Sequence, residues 1–185
     1  MLYDMKYMLT HNQMHLLYQN HISNFMYQNE TICEDNMKVF FEVLKRQDVF
    51  VFGTGYSEII CQYFYKKLIV NGIRSYMVNG LEFDTIYNRF HHTIGSVLLI
   101  SKSGLTPYIV NITESAKKKD IPVISFTGNM KNSLKELSDI PFVVENGLYH
   151  DYDNSEYSPF FGYSIILFEN LLISLRDQPE NKETV

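Results

Sequence analysis

The chain has 185 residues, 45% of them hydrophobic and 15% aromatic, enough apolar side chain to bury a sizeable core and too much for a disordered chain. Its 16 Lys and Arg against 21 Asp and Glu leave a formal net charge of −5, which argues against a surface that neutralises nucleic-acid phosphates by itself. The two cysteines, Cys33 and Cys61, form no CxxC pair, and Cys61 falls within an apolar helical pattern; a reduced, buried thiol and a cytoplasmic location are expected. No basic segment followed by an apolar run opens the chain, and the longest apolar stretch, YSIILFENLLISL, is short and interrupted by Glu169 and Asn170. Neither secretion nor a membrane span is expected.

Along residues 1–48, Leu16, Leu17, Asn20, Phe25, Met37, Phe40, Phe41 and Leu44 recur at near-helical intervals, with a break around 29–35, so two helices are predicted there. Beyond Asp48 the pattern changes. VFVF (49–52), SYMV (75–78), VLLIS (97–101), PVISF (122–126) and PFVV (141–144) are short and apolar, with helical patterns in most of the gaps. Strands that alternate with helices imply right-handed crossovers and a parallel sheet covered on both faces. The expected fold class is therefore α/β, a doubly wound five-stranded parallel sheet flanked by helices, with an N-terminal helical extension.

Within the first crossover, Ile59, Ile60, Tyr63, Phe64 and Leu68 form an apolar stripe, and Gly72 follows as a C-cap. After the third strand, Thr106 then Pro107 is the order expected of an N-cap and a proline at the first helical position. That helix ends in Lys117, Lys118 and Lys119, read as a solvated helix end that complements the macrodipole rather than as a basic patch. The final helix is predicted over about 157–175, apolar on most faces. These elements divide the chain into a helical extension (1–48), an α/β domain (49–178) and a polar tail (179–185), with no internal repeat.

Two glycine breaks stand at strand ends, where doubly wound sheets bind ligands. The first is GTGYS (53–57) and the second is SKSGLT (101–106). Glycines let the backbone turn tightly and approach an anion, while the free N–H groups of the next helix and nearby hydroxyls donate to it. A dinucleotide fingerprint begins with Gly53 and Gly55, but its third glycine position is Glu58, which obstructs close packing and puts a carboxylate near a pyrophosphate. No P-loop and no GxSxG elbow occurs in the sequence. In the second break, Ser101, Ser103 and Thr106 place three hydroxyls around Gly104, and the cluster reads as a phosphate cradle, beside the simpler reading of a turn and a helix cap. Lys102, if strand alternation persists, faces away from its serine neighbours.

FGTGYS, then LLISKSGLT, then VISFTGNMKNSLKELSDI together resemble the SIS (sugar isomerase) domain, a phosphosugar-binding, flavodoxin-like α/β fold, over about 49–175. The resemblance implies that Ser101, Ser103, Gly104 and Thr106 hold the sugar phosphate. It also implies that Gly53, Thr54, Gly55, Ser57 and Glu82 line the sugar side. Residues 1–48 followed by this domain look most like the C-terminal half of RpiR-type transcriptional regulators, which carry a helix-turn-helix domain ahead of a SIS domain. With only Lys6, Lys38, Lys45 and Arg46 as fixed positive charges, residues 1–48 resemble linker helices. DNA is therefore expected to be contacted only through a helix-turn-helix domain absent from these residues. The resemblance further implies a sugar-phosphate ligand, no cofactor, and a homodimer or higher homo-oligomer.

An aldose–ketose isomerase needs a proton-shuttling base, usually a carboxylate, and often a histidine that opens the ring. Glu82 stands where some isomerase SIS domains place a catalytic glutamate, but Phe83 and Asp84 follow it in place of the histidine and glycine of those enzymes. His150, in LYHDYDNSEYS, is the histidine placed to reach a pocket, with Tyr149, Asp151, Tyr152, Asp153 and Tyr157 able to bond sugar hydroxyls; a solvated acidic loop is the alternative. His11 and His15 share a helix face but lack a third ligand, and the adjacent His91 and His92 diverge, so no metal is expected. The sensor reading leads, and Glu82 or His150 would act as acid–base group in the isomerase alternative.

Overall fold

The computed structural model describes residues 34–46, 48–78, 83–128, 131–144 and 158–176. By its packing the chain divides into two units, 1–33 and 34–185. The expected helix within 1–33, and the candidate residues Glu82 and His150, lie outside the described residues.

The second unit runs α1 (Glu34–Arg46), β1 (Asp48–Gly53), α2 (Tyr56–Val70), β2 (Ser75–Met77), α3 (Phe83–Phe90), β3 (Ile94–Ser101), α4 (Pro107–Lys117), β4 (Val123–Thr127), α5 (Ser133–Leu137), β5 (Ile140–Val143) and α6 (Phe160–Arg176). The five strands form one parallel sheet in the order β2-β1-β3-β4-β5. Strand order reverses between β1 and β3, and this fixes where the two strands' following loops can meet.

Every residue of β1 and β4 is buried, as expected of strands covered on both faces. On one face Phe50, Phe52, Val97, Leu99 and Val123 pack with Ile109, Ile112 and Ala116 of α4, Leu134 of α5 and Tyr87 of α3. On the other, aromatic rings link the layers. Phe64 of α2 stacks on Phe168 of α6 at 3.8 Å, and Phe126, Phe142 and Phe40 continue the row from β4 through β5 to α1. α1 buries Phe40, Phe41, Val43 and Leu44 and packs on β3 and β5 in the same unit as the sheet, although its sequence reads as part of the extension.

Three local expectations change. β3 begins at Ile94, not Val97, because Ile94 pairs with Asp48 and Ser96 with Val49, the register shifting past Gly95 between them. Ile59 is 60% exposed, so the buried stripe of α2 is Ser57, Ile60, Cys61, Phe64 and Leu68. The helix ends in a Schellman turn at Gly72 (φ 77°), with Gly72 N–H donating to the Ile69 carbonyl and Ile73 N–H to that of Leu68, both at 3.0 Å. The lysine run is partly engaged. Lys117 pairs with Asp139, while Lys119 lies 4.4 Å from the centre of the Tyr87 ring and donates to Asn88 Oδ1.

Candidate functional site

β1 and β3 are neighbours, and Gly53 is in register with Ile100. The loops that leave them, 53–57 and 101–106, therefore start side by side at the topological switch point. This juxtaposition comes from strand order, because some fifty residues separate the two breaks in the chain.

In the first loop, Gly53 is a close-approach glycine. A Cβ there would stand 2.8 Å from Cys61 Sγ, 2.9 Å from the Ile100 carbonyl oxygen and 3.1 Å from Ser57 Cβ. Gly55 has φ 58°, and a Cβ added there would meet nothing within 4 Å, so it is the positive φ of the turn into α2 that calls for glycine. Thr54, Gly55 and Tyr56 are exposed, and Ser57 is buried against Gly53. Gly55 provides no side-chain cap for α2, and the loop's own carbonyls take two first-turn donors, Ser57 N–H to the Thr54 carbonyl at 3.2 Å and Glu58 N–H to that of Gly55 at 3.0 Å. Glu58 stands in that first turn, half-buried, where the dipole favours its charge.

The second loop is organised by its own hydroxyls. Ser101, buried at the end of β3, accepts the Gly104 N–H at 3.1 Å, and its Oγ lies 3.5 Å from Thr106 Oγ1. Ser103 accepts the Leu105 N–H at 3.2 Å. Gly104 takes φ 65°. Thr106 is the extended N-cap residue ahead of Pro107, as predicted, but its side chain makes no capping bond and turns toward Ser101 instead. The structure thus brings Ser101, Ser103, Gly104 and Thr106 together at the N-terminus of α4, with part of the hydroxyl capacity used in shaping the turn. Proline at the first position removes one orphan donor, and the next N–H groups of that turn point toward the loop. The side chains here are uncharged except for half-exposed Lys102.

The family model of the SIS domain matches residues 42–147, more than half of the chain. The chain belongs to this family. Phosphoheptose isomerase of Buchnera aphidicola subsp. Acyrthosiphon pisum (strain Tuc7) is 39% identical to it over 77 residues, 40% of this chain and 40% of the relative. The match thus spans well under half the length of that curated protein. Among solved structures, the Vibrio vulnificus NanR protein complexed with ManNAc-6P superposes with a TM-score of 0.71 at 21% identity, over 90% of this chain and 63% of that one. The sugar isomerase domain of an RpiR transcription factor from Sphaerobacter thermophilus gives 0.68 at 16% identity, over 89% and 90%. At these identities the two structures share the fold.

A residue of the SIS domain that the sequence reading passed over sits directly under the second loop. Asn132, 3% exposed, caps α5 through Oδ1 and donates from Nδ2 to Thr127 Oγ1. A Cβ on Gly104 would land on its amide. The available signal was Asn before Ser-Leu-Lys-Glu-Leu, a helix start, but nothing local ties that helix to Gly104.

Elsewhere, a cavity of about 350 Å³ opens at the N-terminal ends of β4 and β5, between Val39 and Val43 of α1 and Ile121 and Ile140. Its cation, Lys117, is paired with Asp139, which leaves it a poor anion site. Among the described residues, no group of three or more His, Cys, Asp or Glu is placed to hold a metal. None of the described helices is long and apolar enough to cross a membrane.

Proposed function

We propose that this SIS domain binds a phosphorylated sugar at the β1/β3 switch point and is the effector-sensing and dimerising module of an RpiR-type transcriptional regulator. The observation that carries the reading is the side-by-side departure of the two glycine loops, with the Ser101–Thr106 hydroxyls gathered at the start of α4. Phosphate is held by Ser101, Ser103, Gly104, Thr106 and backbone N–H groups, and the sugar faces Gly53, Thr54, Gly55, Ser57 and Glu82. Likeness to NanR in complex with ManNAc-6P and to an RpiR SIS domain over nine-tenths of the chain supports the sensor role. Signalling follows if the ligand binds more tightly to one of two quaternary arrangements, which biases a coupled DNA-binding module. The exposed Ile59 and Val70 of α2 and Ile166 and Ile173 of α6 are the surface offered to a second copy, and sedimentation analysis of Ile166→Glu tests it.

The test of binding is a thermal-shift panel of hexose, pentose and amino-sugar phosphates, each beside its unphosphorylated partner. A shift confined to the phosphorylated members and lost in Ser103→Ala is expected; a flat panel defeats the reading.

The 39% identity to phosphoheptose isomerase over 77 residues favours a second reading, aldose–ketose isomerisation, with Glu82 or His150 as the acid–base group. Turnover of a sugar phosphate that disappears in Glu82→Gln would decide for it, and binding without turnover decides for the sensor.

A further inference from the structure

Asn132 belongs to neither glycine loop, yet it is the side chain on which the second one rests. Its Oδ1 accepts the Lys135 N–H at 2.8 Å and caps α5. With the oxygen committed there, Nδ2 faces the Thr127 hydroxyl at the end of β4, 3.3 Å away. The amide is thus held between a strand end and a helix start. Directly over it lies Gly104, whose missing Cβ leaves room for the Cβ, Cγ and Oδ1 of Asn132. Two backbone hydrogen bonds flank the contact, Gly128 N–H to the Lys102 carbonyl at 2.9 Å and Leu134 N–H to the Gly104 carbonyl at 3.1 Å.

Capping a helix requires only a short acceptor, and Ser or Thr serve that purpose as well. Asparagine adds a flat amide body that fills the space under Gly104 and a donor that ties it to β4. We propose that Asn132 is a positioning residue that holds the Ser101–Thr106 loop in its anion-binding shape before ligand arrives. A loop ordered in advance gives up less entropy on binding and so binds more tightly. The proposal rests on the phosphate reading above for its consequence, but the ordering of the loop is measurable without any ligand.

The experiment therefore has two readouts. In the free protein, amide hydrogen exchange is followed over 102–106, with 49–52 of β1 as an internal reference. Asn132→Ser keeps the cap and removes both the amide body and the donor. It should accelerate exchange over 102–106 about tenfold, the equivalent of one net hydrogen bond, while 49–52 stays as in the wild type. Asn132→Asp keeps the shape, with the Thr127 hydroxyl now donating, and should restore protection. In the second readout, affinity for inorganic phosphate and for the sugar-phosphate panel should fall about tenfold in Asn132→Ser. Unchanged exchange over 102–106, or acceleration equal in both segments, overturns the positioning role. A wild type that responds to no phosphate while Asn132→Ser loosens the loop overturns the phosphate reading and leaves the positioning of the loop standing.

Discussion

At Gly53 any side chain would meet Cys61 Sγ on one side and the Ile100 carbonyl oxygen on the other, and only the sulfur can be removed by mutation. Gly53→Ala should therefore cost about 1–3 kcal/mol by urea denaturation, as overpacking does, and adding Cys61→Ala should recover part of the loss. Gly55→Ala should be felt for a different reason, its φ of 58°, and no second mutation should rescue it. Cys61 itself is buried, and burial first, then the Glu58 charge, pushes its thiol well above the ordinary value of 9.0. The unfolded chain then releases this proton at a lower pH than the folded one. The contribution is complete below pH 9 and declines as pH rises above it, by up to about 1.4 kcal/mol per pH unit. Urea melts at pH 8 and pH 10 should show the wild type losing more stability over that interval than Cys61→Ala.

Between elements, the aromatic row is what joins the helices to the sheet on the α2/α6 face. Phe168 is fully buried, stacked on Phe64 and edge-on to Phe126. Phe168→Ala opens a cavity among three elements and should cost about 3–5 kcal/mol, read from the denaturation midpoint. The Lys117–Asp139 pair joins α4 to the start of β5, and here the two partners are unequal. Lys117 is partly exposed, and its loss should cost under about 1 kcal/mol. Asp139 Oδ2 also accepts the Val123 N–H at 2.8 Å at the start of β4. Asp139→Ala should therefore destabilise more than Lys117→Ala, since it leaves a strand donor without its acceptor.

For the whole molecule, the sheet order carries the functional consequence. Because β1 and β3 are paired, a ligand gripped by both loops bridges the two halves of the sheet and stabilises the folded state as a unit. A sugar phosphate present at about 100 times its dissociation constant should add roughly 2.7 kcal/mol. The same ligand should leave the Ser101→Ala melting temperature nearly unmoved, since that hydroxyl also orders the Gly104 turn and faces Thr106. Equal shifts in wild type and variant would remove the loop from the site.

The alternation of apolar runs and helical stripes was enough to read five parallel strands, because period and β-branched runs are local properties. Gly53, Gly55, Gly104 and the clustered hydroxyls were legible too, since a backbone that turns at a strand end leaves its requirement in the residue type. What only the tertiary structure decided are relations between residues far apart in the chain. Asn132 carries only a helix-start signal along the chain, and its place under Gly104 follows from β4 pairing with β3. Ile59 reads as core, yet α2 is rotated by Cys61 and Phe64 packing inward, and Ile59 faces out. Lys117 reads as a solvated charge until β5 brings Asp139 beside it. In each case the deciding energy lies in contacts between elements, and no local pattern along the chain encodes which elements will touch.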